Sequence, residues 1–124
     1  MKLIKILGTV VIFILIILAS AVLYNSRSQT IDFSSMLGNE IKVCNNTFNK
    51  NHDEYIQLKN WLYKNQTGWE NYLATQAAGY IYWSNDLSIN VSKGSVVINY
   101  GDSNKRSQVF IKADTHEIIG KCDF

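Results

Sequence analysis

A chain of 124 residues has room for one domain besides a short leader. Twelve basic and ten acidic residues give a formal charge of +2, but Lys2 and Lys5 precede a long apolar run, and the remainder balances ten against ten. A neutral domain lacks the electrostatic footprint of a nucleic-acid binder, and two Cys with two His (His52, His116) show no metal-ligand spacing.

After the basic start, residues 6–24, from Ile6 to Tyr24, run without a charge. As a helix they span about 28 Å, close to the hydrocarbon thickness of a bilayer. The run has no polar face, which a helix on a soluble core would need. Residues 1–24 therefore read as a signal or anchor segment, and two fates stay open. Ala19, Ser20 and Ala21 have the small–x–small form of a cleavage site, giving a secreted domain after cleavage near Ala21. Val22, Leu23 and Tyr24 prolong the apolar run, which suits a single-pass anchor with Tyr24 at the interface. In both cases Lys2 and Lys5 hold the N-terminus in the cytoplasm, so the domain faces the periplasm or outside.

Residues 25–39 are polar with scattered apolar side chains and read as a tether to a single domain at 40–124. Residues 40–44 alternate as a short strand, and residues 45–51 read as a loop. A helix is predicted over 53–65: Asn51 and Glu54 have capping-box spacing, and Tyr55, Leu58, Trp61 and Leu62 form one apolar stripe. Gly68 is its terminator. Trp61 and Trp69 are read as anchors on the core rather than as ligand contacts.

From Trp69 the period changes to two. Strands are expected at 69–76, at 80–83, at Leu87–Ser92, at Ser95–Tyr100 and at Ser107–Lys112, with a final one at 117–122. Gly94 supplies the positive φ for the hairpin between the middle pair. The fold class is α+β: after the N-terminal hydrophobic helix, one amphipathic helix packs on an antiparallel meander of four to six strands. Leu87, Ile89 and Val91 face the core. Ser88, Asn90, Val97, Asn99, Gln108 and Phe110 fall on the opposite face, a candidate partner-binding surface.

Cys44 and Cys122 are the only cysteines, and the leader places them in an oxidising compartment, where an even count reads as a disulfide. No catalytic set stands out: Asp86, Asp102 and Asp114 sit at turns, there is no nucleophile elbow and no glycine-rich phosphate loop. The reading is a non-catalytic chain with no cofactor, a membrane contact through its leader and a protein partner.

Leader, size and the helix-then-meander order are similar to the small exported bacterial proteins of the immunity and inhibitor type. That resemblance implies a periplasmic module that blocks another protein. The alternatives are an accessory subunit of a membrane complex, using the leader as an assembly helix, and more remotely a small hydrolase.

Overall fold

The computed structural model describes residues 1–25, 27–74 and 79–120. α1, Lys2–Asn25, carries apolar side chains on every side, and over Lys2–Tyr24 it is long and apolar enough to cross a membrane, with none of it buried. The two aliphatic hydroxyls within its apolar stretch are already satisfied. Thr9 Oγ1 donates to the Lys5 carbonyl and Ser20 Oγ to that of Ile16, at 2.9 and 2.7 Å. Neither would be carried unpaired into an apolar surrounding.

The rest is α+β, as expected. One helix, α2 (Asp53–Lys64), accompanies a seven-stranded antiparallel sheet of β1 (Glu40–Val43), β2 (Asn46–Asn49), β3 (Glu70–Asn71), β4 (Tyr80–Ser84), β5 (Leu87–Ser92), β6 (Ser95–Tyr100) and β7 (Ser107–Lys112), one strand more than the upper expectation. The spatial order is β2-β1-β4-β5-β6-β7-β3. Only β4 to β7 form the meander. The β1–β2 hairpin joins beside β4 and β3 closes the far side against β7.

Tyr55, Leu58, Trp61 and Leu62 of α2 are buried, as the stripe requires. They meet Ile41, Tyr82, Ile89, Ile98 and Val109 on the first face of the sheet. Each core aromatic with a polar tip hands it to a backbone carbonyl of a loop. Tyr55 Oη donates to Gly38 O at 2.7 Å, Trp61 Nε1 to Asp114 O at 2.7 Å, Trp69 Nε1 to Asn65 O at 2.8 Å and Tyr82 Oη to Ile118 O at 2.6 Å. Burial of these rings therefore leaves no stranded donor, and it pins three loops to the core.

The sequence and the structure part in several places. The cap of α2 is His52, whose side chain does not bond to the helix start. Asn51 lies one residue too early and donates its N–H to Asn49 Oδ1, so the Asn51–Glu54 box does not form. Residues 46–49, expected as loop, are β2. Residues 69–76 supply a strand only at Glu70–Asn71, with 75–78 outside the described residues. The expected last strand is absent as far as Gly120. Thr115 Oγ1 donates to Ser92 O at 2.8 Å and accepts the Gly94 N–H at 3.0 Å. Ile118 and Ile119 then donate back to Thr115 O, turning the chain over the core instead of along the sheet.

The largest departure concerns the expected tether. Gln29 exchanges two backbone hydrogen bonds with Trp69, at 2.6 and 3.2 Å, and Ile31 donates to Gln66 O at 2.8 Å. Residues 29–31 thus run beside 66–69, the segment that leads into β3. Phe33 is fully buried, edge-on to Trp69 (5.0 Å, 81°) and to Tyr100 (5.2 Å, 71°). An Asp32 turn seats it, with the carboxylate accepting from Ser34 Oγ and the Ser35 N–H. The domain begins at residue 29, and only residues 26–28 separate it from α1.

Candidate functional site

Pairing places Thr47, Lys42, Trp83, Ser88, Asn99 and Gln108 in one row across the second face of the sheet. Ile81, Asn90, Val97 and Phe110 form the next row. The six residues read from the sequence as a partner-binding surface therefore do share a face. They are not the exposed part of it.

Ser88, Asn90 and Val97 are buried, and Asn99, Gln108 and Phe110 are half-buried. Residues 72–74 lie against Gln108 and Phe110. Tyr72 stacks on Phe110 (5.3 Å, 23°), its N–H donates to Gln108 O at 3.0 Å, and Gln108 Nε2 donates to Ala74 O at 3.1 Å. Before β4 the chain again touches this face: a Cβ on Gly79 would stand 2.3 Å from Asn90 Oδ1 and 2.6 Å from Val91 O. β3 and β4 lie four strand positions apart in the sheet, and the described ends of their connection, 72–74 and Gly79, both touch this face. Alternation alone assigns a face; it does not say what covers it.

The other half of the face, over β1 and β4, is open. Trp83 is 51% exposed, whereas Trp61 and Trp69 are 3% and 0%. Lys42 stands directly across from it on β1, and Thr47 across from Lys42 on β2. Shallow hollows of about 290 and 210 Å³ flank the indole, the first bordered by Asn45, Asn46 and Thr47, the second by Glu40, Ser84 and Asn85. The Lys42–Glu40 pair, at 3.8 Å and largely solvated, adds little binding order of its own. A half-exposed Trp on a strand, bordered by amides, a hydroxyl and one charge pair, combines large apolar area with polar edges. The signal was present in the sequence as an aromatic at 83 next to aromatic residues 80 and 82. With apolar residues at all four positions, the alternation had no polar member to fix which pair faced out.

The first face carries a second hollow, of about 320 Å³, between the β1–β2 hairpin, α2 and the 117–120 turn. Glu54 and Glu117 border it, and Tyr82 reaches its floor. Burial, then the charge of Glu54, pushes the Tyr82 hydroxyl up to about 12. With its proton committed to Ile118 O, this phenol is a strut and no acid–base group near neutrality. A pKa raised in the folded state contributes stability that is intact below the unfolded value of 10.0 and is lost as pH climbs through about 12. Tyr82→Phe should therefore flatten the loss of stability between those pH values, measured by urea unfolding across the alkaline range. An unchanged pH slope would contradict the assignment.

Elsewhere chemistry-bearing groups are dispersed. His116 pairs with Asp114 at 2.8 Å on the surface; that hydrogen bond raises the imidazole and lowers the carboxyl. Among the described residues no group of three or more His, Cys, Asp or Glu could hold a metal ion. Cys44 is half-buried at the β1–β2 turn, and Cys122 lies outside the described residues. The chain matches no protein-family model, no curated protein and no solved structure.

Proposed function

We propose that this chain is an envelope-side protein-binding module, held at the membrane by α1 or released after its cleavage, which blocks or retains a partner by surface complementarity. The observation that carries the reading is Trp83, the one tryptophan of three left half-exposed. Interface energy concentrates in such anchors, where truncation costs at least about 2 kcal/mol, or roughly thirtyfold in affinity. The basic residues before α1 favour a cytoplasmic N-terminus and an outward domain. An immunity or inhibitor role fits that arrangement.

Within this reading Cys44 and Cys122 are bridged. Cys44 and Asn45 form the two-residue β1–β2 turn with φ of 50° and 63°. Such turns favour Asn or Gly, and a Cys there needs a reason beyond the turn. Gly120, two residues before Cys122, supplies one: a Cβ on it would lie 4.0 Å from Val43 Cγ2, beside Cys44.

A photo-reactive residue at Thr47, next to the Trp83 patch, tests the binding role in envelope preparations. A discrete adduct that Trp83→Ala weakens at least tenfold, in a protein still folded, is the expected result. An adduct indifferent to Trp83 would place the interaction elsewhere. The accessory-subunit reading instead requires that α1 persist, so a mature chain starting at Val22 removes it.

A further inference from the structure

Resting on the anchored form of that reading, we infer that the β3 edge of the domain lies against the lipid headgroup layer, which turns the Trp83 half of the sheet away from the bilayer. The argument starts from chain length. α1 ends at Asn25, and Gln29 is already fixed to Trp69 by two backbone hydrogen bonds. Its side chain adds a third tie, Nε2 donating to Asn71 Oδ1 at 2.7 Å. Four residue steps at full extension reach about 14 Å at most. The headgroup region takes up roughly 5–8 Å of that on each side of the bilayer. A domain of this size is about 30 Å across, so the residual gap at the attachment point, under about 10 Å, admits no second protein layer.

The surface at that edge has matching chemistry. Thr30, Thr67 and Asn71 are exposed, and Gln29, Asn65 and Gln66 are half-buried. These amides and hydroxyls can donate to phosphate and accept from water or headgroup amines, and the exposed Glu70 carboxylate of β3 can pair with a headgroup amine. Leu73 supplies an independent observation. Two residues beyond β3, it is 89% exposed, the most exposed apolar side chain among the described residues that follow α1. A lone leucine projecting from the edge nearest the anchor has an apolar medium within reach. β4, with Trp83, is four strand spacings from β3, about 19 Å across the sheet. The edge nearest the membrane is thus β3, which Gln29 joins at Trp69 and Asn71, and β2 is the far edge.

The full chain in phosphatidylcholine vesicles tests this, with a photo-crosslinking residue placed singly at Ile14, Thr67, Leu73 or Thr47, all exposed. Lipid adducts are expected from 14, 67 and 73 and not from 47. Adducts from 14 alone would overturn the inference while leaving the anchor intact; none from 14 would remove the anchor reading, and the inference with it. Lengthening the link before Gln29 from four to sixteen residue steps should lower the yield at 73 about eightfold, from the three-halves power dependence on linker length. An undiminished yield would mean that the short link does not hold the edge in place, and would overturn the argument from reach.

Discussion

Replacing Phe33 by alanine is expected to lower the stability of the domain by about 3–5 kcal/mol, the cost of emptying a buried phenylalanine site. The side chain has no exposed surface and meets Trp69 and Tyr100 edge-on, so its removal strips both rings of an aromatic contact and leaves a cavity between them. Against a total stability of the order of 5–15 kcal/mol, that loss would leave a large unfolded fraction. Met36→Ala, three residues further on at an exposed position, should change stability by no more than about 0.5 kcal/mol. Urea unfolding of the two variants separates a run that belongs to the core from one that only links it. Equal, small effects would restore the tether reading of residues 29–37.

Reduction is the second large effect. A Cys44–Cys122 bridge closes a loop of nearly eighty residues, which in the chain-entropy model stabilises by up to about 4.5 kcal/mol. The turn that holds Cys44 would keep its positive φ without the sulfur link, so the loss should fall mainly on the coupling between the β1–β2 hairpin and the 117–120 turn. The hollow near Tyr82 is the place to look for it. A reductant, or the paired change Cys44→Ser with Cys122→Ser, is expected to move the urea midpoint down sharply. Hydrogen exchange should rise first in β1 and β2. An unmoved midpoint would show that the two cysteines contribute nothing to the fold.

How much of this was legible in the sequence depended on which signal each element carries. β5, β6 and β7 appear within the bounds that alternation gave them, because Leu87, Ile89, Val91, Val96, Ile98, Val109 and Ile111 all enter the core on the face that carries α2. α2 likewise follows from its stripe. β2 was missed because Asn46, Thr47, Phe48 and Asn49 carry a single apolar residue, too few for a period; pairing with β1 makes it a strand. Phe33 sits among Asp and Ser residues that read as linker, and only the three-dimensional position of Trp69 and Tyr100 gives it a core to enter.

The candidate surface illustrates a different limit. Alternation placed Ser88, Asn90, Val97, Asn99, Gln108 and Phe110 together, and the register places them on one face. Their burial follows from strand order. β3 pairs with β7, four positions from β4, and Tyr72, Ala74 and Gly79, at the described ends of the connection between them, meet the second face. Local sequence carries no record of that order. The exposed half of the sheet then falls to β1 and β4, with Trp83 at its centre.

The most direct measurement is the location of the intact chain in living cells, read by membrane fractionation with protease and thiol reagent added from outside. The expected result is a domain reached by external protease, associated with membrane or periplasm, with Cys44 unreactive until a reductant is added. An uncleaved chain dissolved in the cytosol, residues 6–24 still attached and both thiols open to reagent, would contradict it.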